Sequence, residues 1–262
     1  EIGRIYGFHN IKNEPLRGAL IRGEKPYDKA IEDKAKLILE GLGMNEILTY
    51  SFVSPKAYDK IKLSEDSEKR KYIKIMNPLG EDYSVMRTTL IPNAMDVLAR
   101  NYNYGVERAF IYEIGNIFIP KELPIKNLPI ERKILSLGMY GDVDYFYIKG
   151  VVDTLLERLG ILKCKYLREE NHPSFHPGRT ANIIYKDKVL GVIGEIHPDI
   201  LENYHIKERV YISELDFDTI IEISNLERQY KPLAKYPAII RDLAIVLDRE
   251  ILVKDIEEKI LE

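Results

Sequence analysis

Apolar residues recur at helical spacing in three stretches. Ile31, Ala35, Ile38 and Leu42 follow one another at four, three and four residues, with Pro26 and Asp28 before them and Gly43 after. That pattern predicts an amphipathic helix over 28–42. A second helix is predicted where Ile91, Met95 and Leu98 share a face, with Pro92 in its first turn and Gly105 beyond its end. A third carries Ile148, Val152, Leu155 and Leu159 and stops at Gly160. Strand patterns fall at 47–53, 72–76, 109–118, 134–140, 164–167, 180–185, 189–193 and 210–216. Segments 109–118 and 134–140, joined by a loop containing Pro120, Pro124 and Pro129, read as a long antiparallel ribbon. Lys186-Asp187 reads as a hairpin turn, Asn77-Pro78-Leu79-Gly80 as another turn, and the charge-rich 63–71 as a solvated loop. Strands and helices mix without a regular βαβ alternation, so the expected class is α+β, built on an antiparallel sheet flanked by helices. Polar sequence with two prolines at 224–237 reads as a linker. The strand (239–248) and helix (253–262) expected after it are too little to bury their own apolar faces, which suggests a truncated second domain.

Composition narrows the picture. Hydrophobic residues make up 45% and charged residues 31%, and no apolar run approaches the roughly 20 residues of a membrane helix. No membrane role is expected. A net charge of -3 gives no global attraction to nucleic acid, so any RNA contact must be local. The single cysteine, Cys164, cannot form an internal disulfide; it fits a reducing, cytoplasmic setting and reads as a small core residue. The chain opens without methionine, basic leader or apolar signal segment, which suggests an internal piece of a longer protein.

The densest candidate chemistry lies between 172 and 199. His172, His176 and His197 each precede a proline, with Arg179 and Glu195 close by in sequence. Histidines beside an arginine and a glutamate could bind a metal, move protons or hold a phosphate. A residue before proline is also pushed toward extended backbone, so each His-Pro reads equally as a strand end whose imidazole holds a turn. Pro173 and Pro177 break the helix that would align His172 and His176 on one face, which disfavours zinc. Arg179 after Gly178 reads as stabilising a special turn. Glu113 and Glu195 could divide acid and base roles, but outward-facing strand positions account for them as well. Arg87 reads as half of a structural ion pair at a sheet end.

Four segments in order carry a family resemblance: Glu1-Ile-Gly-Arg-Ile-Tyr-Gly-Phe; Asn77-Pro-Leu with Met86-Arg-Thr-Thr-Leu-Ile-Pro92; Tyr112-Glu-Ile-Gly-Asn-Ile-Phe118; and the His-Pro segments with Lys235-Tyr-Pro-Ala-Ile-Ile-Arg-Asp242. Together they resemble the beta subunit of bacterial-type phenylalanyl-tRNA synthetases. The resemblance implies the tail of a small helical domain at 1–22, a class II synthetase-like domain at 23–227, and the start of a ferredoxin-like anticodon-binding domain at 228–262. It implies a heterotetramer in which an alpha subunit performs the ATP-dependent chemistry on phenylalanine and tRNA. In the active family pattern the strand resembling 112–118 runs into Arg-x-Glu, whose arginine grips the α-phosphate. Here it runs into Ile119-Pro120-Lys121, and no glycine-rich segment with a second arginine follows 211–217. A non-catalytic scaffold is therefore expected. The resemblance makes Ile31, Ala35, Ile38 and Leu42 a subunit interface, and gives Glu1 a place as one ligand of an incomplete magnesium (Mg2+) site. Two rivals are a divergent adenylate-forming or His-centred enzyme, and an RNA-binding module using Lys231, Lys235 and Arg241 beside Tyr230 and Tyr236.

Overall fold

The structure is a computed structural model and describes residues 1–262 apart from 16, 20, 21, 228, 229, 231, 233–235, 238, 249, 250, 252 and 262. The chain divides into two units, Glu1–Leu226 and Glu227–Glu262.

The first unit opens with the short exposed helix α1 (Ile2–Tyr6), followed by α2 (Tyr27–Gly41), β1 (Asn45–Glu46), β2 (Phe52–Val53) and α3 (Lys56–Lys60). Next come β3 (Val85–Met86), α4 (Ile91–Asn103), β4 (Ala109–Ile119), β5 (Ile130–Tyr140) and α5 (Tyr145–Arg158). The unit closes with β6 (Lys165–Arg168), β7 (Phe175–Tyr185), β8 (Lys188–Ile196), α6 (Pro198–Asn203), β9 (Val210–Asp216) and α7 (Phe217–Ile223). Among the described residues the second unit contributes one helix, α8 (Val253–Leu261).

Seven strands form one sheet in the order β1-β4-β5-β9-β8-β7-β6. Only the β1–β4 edge pair is parallel. The predicted ribbon is continuous: β4 and β5 pair without a break from Ala109↔Tyr140 to Ile119↔Ile130. β7 and β8 turn at Lys186-Asp187, with Lys186 at φ 54°. Gly191 sits at φ +157° where β8 meets β9, and a Cβ there would lie 2.1 Å from the Glu214 carbonyl oxygen, so only glycine lets the two backbones approach.

Strand pleating sorts the core into two layers. Tyr112, Leu135, Leu137, Met139, Ile193 and Leu215 point toward α2 and α5, and with Ile31, Leu39, Val152 and Leu155 they form one buried cluster. Ile111, Tyr140, Val192 and Ile212 point the other way and pack with residues of α3, α4 and α6. The result is helices, sheet, helices.

Several expectations change. Of the strand expected at 47–53 only Phe52–Val53 forms, because the chain leaves β4 after Glu46 and next pairs with β3 in a separate two-stranded sheet. The strand expected at 72–76 reduces to a single bridge, Lys74↔Val85. Residues 239–248 hold no strand; a strand needs a partner ladder, and the described residues of the second unit supply none. Cys164 is half-buried against the first cluster, and burial, then the charge of Asp153, pushes its thiol up to about 11, which suits a packing residue.

Candidate functional site

The face of the sheet turned toward α4 carries a row of polar residues. Register places Glu113 opposite Ser136, Ser136 opposite Glu214, Glu214 opposite Val192, and Val192 opposite Asn182. Pleating then puts all of them on one face. Glu113 and Ser136 are buried. Glu113 accepts from Arg87 Nη1 at 2.8 Å and from Thr49 Oγ1 at 2.7 Å. Arg87 is 2% exposed, and its Nε donates to the Asn116 carbonyl at 2.8 Å. Arg87 lies where it does because its own N–H bonds Ser51 and its carbonyl accepts from Phe118. Gly115 leaves the room: a Cβ there would sit 2.3 Å from Arg87 Nη2.

Glu214 accepts from Thr89 Oγ1 at 2.5 Å, the Leu90 N–H at 2.7 Å and Lys69 Nζ at 3.0 Å. Leu90 is the N-cap of α4 and has no capping oxygen of its own, so a carboxylate from β9 does that work. Burial pushes the Glu214 carboxyl up, but the charge of Lys69 and the bonds from Thr89 and Leu90 outweigh it and hold the carboxyl below its usual range. The row is thus closed by the chain's own cations and hydroxyls, with each buried carboxylate already partnered. It can bind charge within the chain; it offers no unpaired cation to a phosphate.

Glu195 lies on the opposite face, beside Ile193 and Tyr211. Arg179 Nη1 donates to both of its oxygens at 2.8 Å, and the Tyr211 hydroxyl donates at 3.3 Å. Glu113 and Glu195 therefore cannot act as an acid–base pair. Both are buried rather than outward-facing, because each has a guanidinium to neutralise it. Arg179 holds Glu195, not a turn.

The turns are held by the three histidines. His172 Nδ1 accepts from the Ser174 N–H at 3.3 Å, His176 Nδ1 from Gly178 at 3.1 Å, and His197 Nδ1 from Asp199 at 3.2 Å. In each ring Nδ1 is thus occupied by a backbone donor two residues on. His172 also packs edge-on to Phe175, and burial, then the charge of Lys69, lowers its pKa to about 4.

The remaining predicted residues scatter. Ile31 and Ala35 are 0% exposed, and Ile38 and Leu42 pack half-buried on the same cluster. Ile31 and Ala35 thus pack into the chain's own core, with Ile38 and Leu42 at its edge. Glu1 is exposed and paired with Arg4 at 2.5 Å; one carboxylate with a cation on it does not fit Mg2+. Among the described residues no group of three or more His, Cys, Asp or Glu is placed to hold a metal. Lys231 and Lys235 lie outside the described residues, and Arg241 is exposed. Sequence reasoning missed several exposed apolar side chains, Leu48 (86%), Tyr50, Met76 (94%) and Leu79 (76%), and the Tyr50 and Tyr83 rings lying 5.5 Å apart.

A largely antiparallel sheet of this order between two helical layers defines a class. Pyrrolysyl-tRNA synthetase from Desulfitobacterium hafniense matches it with a TM-score of 0.63 at 17% identity, covering 76% of this chain and 70% of that one. The fold is that of the class II aminoacyl-tRNA synthetases. Within that class, the chain belongs to the family described as the phenylalanyl tRNA synthetase beta chain CLM domain, whose profile matches residues 11–217. The phenylalanine–tRNA ligase beta subunit of Clostridium acetobutylicum is 48% identical over 260 residues, 99% of this chain and 33% of that protein. The Clostridium tetani beta subunit is 47% identical over 257 residues, 98% of this chain and 32% of that protein. The chain thus spans about a third of the length of these relatives.

Proposed function

We propose that this chain is the non-catalytic core of a phenylalanine–tRNA ligase beta subunit, packing against a catalytic alpha subunit in a complex that joins phenylalanine to its tRNA using ATP. One observation carries the reading: the polar face of the sheet is sealed by Arg87 on Glu113 and by Lys69, Thr89 and Leu90 on Glu214. Adenylation needs a cation poised for a phosphate and room for the nucleotide. Here the buried guanidinium is committed to a carboxylate, and β4 is followed by Pro120 and Lys121 in place of an arginine fork. Magnesium and tRNA belong to the complex as a whole in this reading. Residues 1–22 are the end of a helical domain, 23–227 the synthetase-like domain, and 228–262 the start of a ferredoxin-like anticodon-binding domain.

The exposed apolar side chains of Leu48, Met76 and Leu79 and the paired rings of Tyr50 and Tyr83 support assembly as the role, since a partner can cover them. The test mixes the chain with the purified alpha subunit and follows complex formation by light scattering, with pyrophosphate exchange recorded in parallel. Tyr50→Glu with Leu79→Glu should weaken association at least about tenfold while leaving circular dichroism unchanged. Undiminished association would remove these side chains from the interface, and exchange by the chain alone would end the non-catalytic reading.

A further inference from the structure

The first two residues beyond α7 are fastened from two sides. The Tyr27 hydroxyl, at the start of α2, donates to the Ser224 carbonyl at 2.9 Å and lies 3.1 Å from Ser224 Oγ. The Asn225 N–H donates to the Leu159 carbonyl at the C-terminal end of α5, 2.9 Å away. Gly160 makes that approach possible. It sits at φ +82°, and a Cβ on it would lie 1.9 Å from the Asn225 carbonyl oxygen, closer than any side chain allows. Lys188 on β8 adds an ion pair to Glu222 at 3.0 Å.

Ending α7 requires none of this. Ser224 already closes the helix, its N–H bonding Ile220 at 2.9 Å and its hydroxyl bonding the Ile221 carbonyl at 2.9 Å. The Tyr27 and Leu159 contacts instead hold chain that has left the helix, and they hold it between the N-terminus of one core helix and the C-terminus of another.

We propose that Tyr27, Leu159, Gly160, Ser224 and Asn225 form an exit clamp, which fixes the point and direction at which the chain leaves the first unit. Any pivot between the first unit and the residues that follow then lies downstream of Asn225. The core helices α2 and α5 are insulated from it.

Proteolysis of the full 262-residue chain tests this. Trypsin cuts after Arg228 and after Lys235 but not at Lys231, which precedes Pro232. A protease needs several residues extended on each side of the cut, so cleavage after Arg228 draws on Asn225 whereas cleavage after Lys235 does not. Tyr27→Phe should raise the rate after Arg228 roughly fivefold with the rate after Lys235 unchanged, and should speed hydrogen exchange at Asn225 by a similar factor. Gly160→Ala should do more. Unchanged cleavage and exchange in Tyr27→Phe, whose single lost surface oxygen does not threaten folding, would overturn the clamp. So would a rise at both sites together with faster exchange in β5 and β9, which is global loosening.

Discussion

Each buried carboxylate on the sheet meets its counter-ion from a different element: Glu113 from Arg87, Glu214 from Lys69, Glu195 from Arg179. Such pairs cost desolvation, and removing one partner leaves a buried charge uncompensated, so they act as locks on how segments dock. His172 is a different lock, because it must stay neutral to accept from Ser174. Its folded pKa of about 4 lies below the ordinary 6.5, since burial and Lys69 outweigh the pull of Glu214 and Glu169. Below pH 6.5 the unfolded chain therefore binds a proton that the folded chain refuses, and stability falls as pH drops toward 4. Urea midpoints should show a loss of about 2 kcal/mol between pH 7 and 4.5 that His172→Asn abolishes, because asparagine can hold the same turn without titrating. Parallel curves for the two proteins would show that His172 is not held neutral. The histidine turns were legible in sequence because donor and acceptor stand two residues apart. The ion pairs were not: 26 residues separate Arg87 from Glu113 and 145 separate Lys69 from Glu214, and only the docking of segments outside the sheet onto its strands brings them together.

At the scale of elements, glycine divides by what its missing side chain would meet. Gly115 in β4 faces the Arg87 guanidinium, whereas Gly150 in α5 has nothing within 4 Å. Gly115→Ala should therefore cost about 2–3 kcal/mol by forcing Arg87 off Glu113. Gly150→Ala should add about 0.5–1 kcal/mol through helix propensity and a less free unfolded chain. Thermal melts of the two variants should move in opposite directions. The long elements were legible because periodicity accumulates over many residues: α2, α4, α5, β4 and β5 all fall near their predicted limits. Short elements carry too few periods. α3, α6 and α7 went unread, although His197-Pro198 marks the start of α6 and Asp216, which accepts from the Thr219 N–H, marks the start of α7. The α2 stripe was legible as apolar but not what covers it, since one stripe looks the same whether a partner or the chain's own α5 and sheet pack on it.

At the scale of the molecule, both core clusters lie wholly within Glu1–Leu226. Residues 1–226 made alone should unfold in one cooperative transition with the midpoint of the full chain; a lower midpoint or two transitions would mean that 227–262 contributes to this core. The class II fold was legible from scattered segments, whereas the exposure of Leu48, Tyr50, Met76 and Leu79 was not, since nothing in a sequence says which side of a turn faces water. The sheet itself ends abruptly. β1 gives it a margin of two residues and β6 a margin of four, the latter carrying Lys165 and Arg168. Margins this brief, one of them cationic, are poor templates for another copy's backbone. In concentrated solution the chain should therefore resist fibril-like stacking through these two margins.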